Sequence, residues 1–207
     1  MTRTVSIAPP ILYVGTPVVL ISTLNPDGTA NLAPNSSVFA LGDRLTLGVG
    51  MGWRTFDNLK REREAVLNFP DARLWPQVER LAGLTGQDHP PAHAPSFECV
   101  KEKFGRAGLT PIPSETVGPP RVDECPIQAE VEVLAIHPAA AGEDVAYVET
   151  RWRRVHVHER LSVAGTQRIH PARWDPLFYI FRHYAAADRR LGMTFRAEDR
   201  ELTEDAA

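Results

Sequence analysis

The residues best suited to chemistry stand where a strand runs into a helix, in the segment LTLGVGMGWRTFDNL (residues 45–59). Gly48, Gly50 and Gly52 let the backbone come close to a ligand. A helix begun at Thr55 offers unpaired N–H groups and the positive end of its dipole. Arg54 adds a fixed charge in a form suited to phosphate, and the Thr55 hydroxyl adds a donor. The junction therefore reads as an anion site. The same residues also read as a glycine-rich turn entering an ordinarily capped helix. A dinucleotide-binding fingerprint fails on spacing: Gly48 and Gly50 give G-x-G, but Trp53 stands where the third glycine belongs, so one phosphate fits better than a pyrophosphate.

A second cluster, Asn31-Leu32-Ala33-Pro34-Asn35-Ser36-Ser37, is polar and turn-forming where a strand would otherwise continue. A departure from the ladder there would free backbone and side-chain polar groups for the edge of a planar heterocycle; its bland alternative is a barrel corner. His156 and His158 lie two apart on an expected strand and share a face, but no third ligand stands at metal-binding spacing, so they read as an outward polar pair and no metal is expected. Cys99 and Cys125 form no CxxC and read as small buried hydrophobes. No Ser-His-Asp set or nucleophilic cysteine setting is apparent.

The elements that must position these residues are mostly strands. Pro17 to Leu24 is β-branched and apolar, as a strand buried on both faces should be. Asn25-Pro26-Asp27-Gly28 predicts a turn and an antiparallel return over 29–33. Further strands are expected at 37–41, 44–49 and 65–69, with a helix over 56–64 whose Phe56 and Leu59 share one face. The middle reads as helices over 76–84 and 97–105, the second with Phe97, Val100 and Phe104 inward. Between them the His/Pro loop 86–95 is either an active-site cover or a surface connector. Strands resume at 130–137, and 145–161 reads as a further pair of alternating segments. From Ala172 the tail is aromatic and basic (Trp174, Phe178, Tyr179, Phe181, Arg182, His183, Tyr184), and its last residues, about 197–207, are expected to fray.

Composition agrees with one globular domain: 207 residues, 43% hydrophobic and 24% charged. With 23 basic against 26 acidic residues, net charge −3, no footprint for nucleic acid is present. No apolar run is long enough to cross a bilayer and no secretory signal opens the chain, so a cytoplasmic protein is expected.

In order and spacing, PVVLISTLNPDGTANLAPNSSVFAL, LTLGVGMGWRTFDNLKREREAVLNFP and KFGRAGLTPIPSETVGPPRVDECPIQAEVEV resemble the flavin reductase-like FMN-binding proteins of the split β-barrel fold. The resemblance covers most of the chain. It implies a mainly β, Greek-key split barrel with peripheral α structure, residues 1–207 as one domain, and a helical insertion over about 72–110. It further implies FMN at a homodimer interface, with the isoalloxazine edge against the segment Asn31 to Ser37 (Asn31, Pro34, Asn35, Ser36 and Ser37 as contacts), the phosphate near Arg54, Thr55 and Asn58, and Gly50 also against the cofactor. Many relatives carry Lys-Asp before the helix threonine; here Trp53-Arg54 takes that place, and Trp53 would cover the ring. Asn68 matches a family asparagine that is structural or faces the flavin. The implied activity is an oxidoreductase, NADH or NADPH reducing flavin, with reduced flavin passed to a monooxygenase partner. Alternatives are an FMN enzyme acting on another small acceptor, or a flavin-binding protein without turnover. If the flavin N5 carries the reaction, no catalytic side chain is required. His183 is the one candidate; it and Arg182 either contact a nicotinamide nucleotide or tie the tail to the barrel.

Overall fold

The computed structural model describes residues 2–92 and 94–187, so the expected frayed tail at 197–207 lies outside the described residues. β1 (Val14–Pro17) stops at Pro17, which lacks a ladder donor, and β2 (Val19–Leu24) starts two residues later, where the sequence reading had one strand from Pro17 to Leu24. β2 is buried along Val19–Thr23, as a strand covered on both faces must be. In the turn that follows, Gly28 takes φ 81° and Asp27 accepts from the Thr29 N–H and hydroxyl, returning the chain antiparallel as β3 (Ala30–Asn35).

The departure from the ladder expected after Asn31 does not occur there. β3 stays paired to β2 as far as Asn35, opposite Val19, and only Ser36 and Ser37 leave it. Pro34 is tolerated because β3 is an edge strand with a side that needs no donor. β4 (Val38–Leu41) and β5 (Arg44–Gly50) form a hairpin, followed by α1 (Arg54–Glu62) and β6 (Glu64–Phe69).

Next come α2 (Trp75–Ala82), β7 (Leu84–Thr85), β8 (Glu98–Cys99), α3 (Lys103–Ala107), β9 (Pro111–Ile112) and β10 (Arg121–Val122). The helix expected over 97–105 does not form. Glu98–Cys99 pairs in parallel with Leu84–Thr85, and the Glu102 carboxylate accepts from the Gly105 N–H, which starts α3 at Lys103. Cys99 is exposed as a result, and only Cys125 is the small buried hydrophobe expected.

Long β11 (Ile127–Pro138) and β12 (Val145–Val157) follow, the latter one continuous strand rather than a pair of segments. β13 (Phe178–Ile180) and β14 (His183–Ala185) join β1 in a small sheet.

Seven strands make one antiparallel sheet in the order β3-β2-β6-β11-β12-β5-β4. Consecutive β3 and β4 sit at its opposite edges, so the sheet must curl for Ser36–Ser37 to connect them. Asn35 Nδ2 donates to Gly48 O at 2.8 Å and the Gly48 N–H donates to Ser37 O at 2.8 Å, drawing the edges together into a split barrel. A Cβ on Gly48 would lie 3.0 Å from the Ser37 Cβ, so any larger residue here would have to push Ser37 back by a few tenths of an ångström.

Inside the barrel, Ile21, Leu47, Leu67, Val131 and Val148 pack with Leu59 of α1, Phe56 joining at the margin as its shared face predicts. Outside β2 and β3, Leu20 and Leu32 pack with Val78, Leu81 and Phe104 of the helices and with Leu177. Each such side chain contributes roughly 1.5–3 kcal/mol by leaving water.

The barrel also buries a carboxylate. Glu130 on β11 accepts from the Glu115 N–H (2.8 Å), the Thr116 N–H (2.6 Å) and His156 Nε2 (2.7 Å). The outward histidine pair is corrected accordingly: His156 turns to Glu130, while His158, past the end of β12, meets Asp123 O at 2.8 Å.

Candidate functional site

α1 starts two residues earlier than its sequence suggests, at Arg54 rather than Phe56. Trp53, in extended conformation, occupies the cap position without a side-chain capping bond to the helix N–H groups, and Thr55 is the second helical residue rather than the cap. The Phe56 and Asp57 N–H groups both reach Trp53 O, at 3.0 and 3.2 Å, so those of Arg54 and Thr55 have no partner within the helix. A buried polar network sets the position of this helix end. Asn31 Nδ2 donates to Thr55 Oγ1 (3.1 Å) and Thr23 Oγ1 (3.2 Å), and Asn58 Nδ2 donates to Thr23 Oγ1 (3.0 Å) and Asn25 Oδ1 (3.1 Å). Asn31 Oδ1 is left buried without a partner.

A cavity of about 270 Å³ opens beside this helix end. Ile21, Ala33 and Val49 give it apolar sheet walls; Pro34, Asn35, Gly50, Trp53, Arg54 and Thr55 line it as well. The Trp53 indole lies over Gly50 so closely that a Cβ there would sit 2.4 Å from its Cδ1, and it meets the Phe97 ring at a centroid distance of 4.8 Å. Ser36 and Ser37 border an adjoining cavity of about 300 Å³ that shares Pro34 and Asn35 with the first and ends on Tyr13, Tyr179 and Tyr184.

Of the residues singled out in the sequence, Asn31 stands behind the cavity wall, and Asn58 and Asn68 lie away from it. Asn68 spends its amide on Leu20 O and Val66 O and accepts from the Val122 N–H. His183 is exposed, its Nδ1 3.0 Å from Phe181 O, and borders neither cavity.

Three further residues reach the site, the first of them from the 86–95 loop that the sequence offers as an active-site cover or a surface connector. Gly86, at the start of the His/Pro loop, is buried against the site: a Cβ there would stand 2.6 Å from Asn31 Oδ1 and 3.0 Å from Arg54 Cγ. Its carbonyl accepts from Arg54 Nε at 2.9 Å, and Gln87 Nε2 reaches Asp57 Oδ2 at 2.8 Å, so the loop is fastened to α1. Phe97 closes over Trp53. Lys103, only 3% exposed, brings a second cation to the lining, and burial followed by the charge of Arg54 lowers its pKa to about 8. Two cations and no carboxylate in the lining of an apolar-walled slot suit a planar apolar group that carries an anion. No helix among the described residues is long and apolar enough to cross a membrane.

The chain is 44% identical over 194 residues to the uncharacterized protein YdfE of Bacillus subtilis (strain 168), covering 93% of each chain. The flavoredoxin of Desulfovibrio vulgaris (Miyazaki F) superposes with a TM-score of 0.77 at 18% identity, over 95% of this chain and 100% of that one. Nitrilotriacetate monooxygenase component B from Bacillus cereus gives 0.73 at 23% identity, over 93% and 100%. The family model described as the flavin reductase like domain matches residues 11–188, and the chain therefore belongs to the flavin reductase-like family.

Proposed function

We propose that this chain is an FMN-dependent oxidoreductase that reduces flavin with NADH or NADPH, built as one domain with residues 72–110 as an insertion. The observation that carries the reading is the cavity in which the Pro34–Asn35 edge, Gly50 and the cationic start of α1 face one slot. Bound FMN would supply the hydride-accepting centre. Arg54 and the free N–H groups at the start of α1 would bind its phosphate, with Thr55 held in place by Asn31. Trp53 would exclude water from the ring, and Pro34 to Ser37 would orient its polar edge. Asn58 and Asn68 would act by fixing α1 and β6 rather than by touching the ligand. One helix start favours FMN over FAD.

A homodimer is part of the same reading. Strand register puts Phe39 and Leu41 of β4 on the outward face that also carries Val145 and Tyr147 of β12, beside Gly48 and Gly50. All four side chains are exposed, Leu41 at 72%, with the Arg44–Glu149 ion pair and Thr46 between them on the same face, and Val145 stands opposite Gly50 at the edge of the cavity. A second copy seated there by two-fold symmetry would cover both this face and the flavin. Phe39→Glu should then yield monomers that lose FMN, as light scattering and flavin absorbance on one sample would show. A monooxygenase accepting the reduced flavin is the expected partner, and the cytoplasm the expected compartment.

Chromatography of the flavin released on denaturation, with steady-state NAD(P)H oxidation in the presence and absence of free flavin, tests the whole reading. Stoichiometric FMN and oxidation stimulated by added flavin are expected. Stoichiometric FAD, or no flavin uptake, would overturn it; FMN without NAD(P)H turnover would reduce it to flavin binding.

A further inference from the structure

Past Pro34 and Asn35 the flavin slot gives way to the adjoining cavity of about 300 Å³, whose chemistry is different. Among the described residues no charged side chain lines it, since Arg54 and Lys103 face the slot alone. The charge tied to its wall is negative: Glu79 of α2 accepts from the Tyr184 hydroxyl at 3.0 Å. A phosphate or carboxylate brought in here would lose water and find no cation, which disfavours nucleotides and acidic rings.

Three of the chain's four tyrosines build the wall. Tyr13 and Tyr179 meet edge to face at a centroid distance of 5.4 Å, and the Tyr184 ring stands 6.2 Å from that of Tyr179. Burial, and then the bond to Glu79, holds the Tyr184 phenol above its ordinary pKa, so it stays neutral. Phenol faces are electron-rich and attract an electron-poor ring. The cavity also offers a hydroxyl donor. Asn35 spends its amide on Gly48 O and its side-chain oxygen on the Ser37 N–H. Tyr13 Oη and Ser37 Oγ lie 2.7 Å apart, a pair with two protons and one mutual bond, so whichever donates, the other O–H is left for a ligand. A carbonyl oxygen is its complement.

We propose that this cavity holds the acceptor to which the flavin passes its electrons, and that the acceptor is an uncharged aromatic carbonyl compound, a quinone in its simplest form. The proposal rests on the flavin reading above, with NADH as the source of electrons. The quinone takes a hydride from the reduced flavin and a proton from the Tyr13–Ser37 pair, which regains one from water. Two electrons and two protons are thus transferred: the flavin returns to its oxidised form and the quinone leaves as the hydroquinone.

Tyrosine labelled with 13Cζ in the full-length, FMN-loaded protein gives four signals, assigned by Tyr→Phe variants. Acetophenone, a redox-inert ketone, should move those of Tyr13, Tyr179 and Tyr184 and leave that of Tyr147, which lies outside the cavity on β12. The 4-acetylbenzoate anion, the same ketone with a carboxylate, should bind at least about 10-fold more weakly. With NADH, the protein should reduce tetramethyl-1,4-benzoquinone, whose blocked ring carbons cannot add a thiol. Tyr13→Phe and Ser37→Ala each leave one O–H free and should raise its KM less than about threefold, while the two together should raise it about 10-fold. Tyrosine signals unmoved by the ketone, ketone and benzoate bound alike, or ketone bound without FMN and displaced as FMN loads would overturn the proposal and leave the flavin reading standing. Selective movement of the three signals in a protein that takes up no flavin would keep the aromatic site and overturn its role as an acceptor site.

Discussion

The barrel and the helical segment between β6 and β11 settle the burial of charge in opposite ways. In the barrel, Glu130 is buried with a donor for each of its needs: two backbone N–H groups, the Thr116 hydroxyl and His156. Burial by itself raises a carboxyl pKa, but these donors outweigh it and hold Glu130 at about 2. In the helical segment, Lys103 is also buried but with no such set among the described residues, and its pKa moves toward the neutral form. A satisfied charge belongs to the architecture; an unsatisfied one, lining a cavity, waits for something the chain does not carry.

The sharpest way to break this contrast is to remove the satisfied charge. Glu130→Ala takes the buried acceptor away from the Glu115 and Thr116 N–H groups and from His156, and should cost about 3–5 kcal/mol in urea denaturation. The sign with pH follows from a folded value near 2 against the ordinary 4.5. Its stabilisation is fully present above the ordinary value and is lost as pH falls from there toward 2, so wild type and variant should converge in acid. A variant equally stable at neutral pH would mean that the carboxylate is not structural.

Arg54→Ala tests the other pole. It should weaken FMN by roughly 1.5–3 kcal/mol and leave riboflavin nearly unchanged, as parallel titrations would show. Gly86→Ala sharpens the boundary between the two regions. The added methyl meets Asn31 Oδ1 and Arg54 Cγ, so about 1–2 kcal/mol of stability should go, together with flavin affinity. The smallest effect is expected at Tyr184→Phe, which breaks the 3.0 Å bond from the tail to Glu79 of α2 and should cost about 1 kcal/mol or less by thermal unfolding.

The same division decides how much the sequence discloses. β2, β5, β6 and α1 are legible because long-range pairing and packing repeat a period of two or of 3.6 over enough residues to be read. β3 is misread at Pro34 and Asn35, poor strand formers that an edge position tolerates. β7 and β8 have two residues each, too few for any period, and Phe97, whose spacing from Val100 and Phe104 imitates a helix, instead packs on Trp53. At the site, the glycines, Arg54 and Thr55 announce themselves by type and spacing. Lys103 does not: a single lysine beside a buried Phe104 carries no local mark of burial, which comes from α2 and β3 packing around it.

Phe69 and Ile127 pair directly across β6 and β11, and α2, α3 and the short strands around them all lie in the connection between the two. The entropy lost in closing a loop grows only with the logarithm of its length, about 0.6 kcal/mol for each doubling. Lengthening this connection by two helices therefore taxes the β6–β11 pairing by no more than one modest hydrogen bond. The barrel can gain or exchange segments at this point while its strand register stays the same, and with them the cations, aromatic rings and loop carbonyls that decide what its cavity will hold.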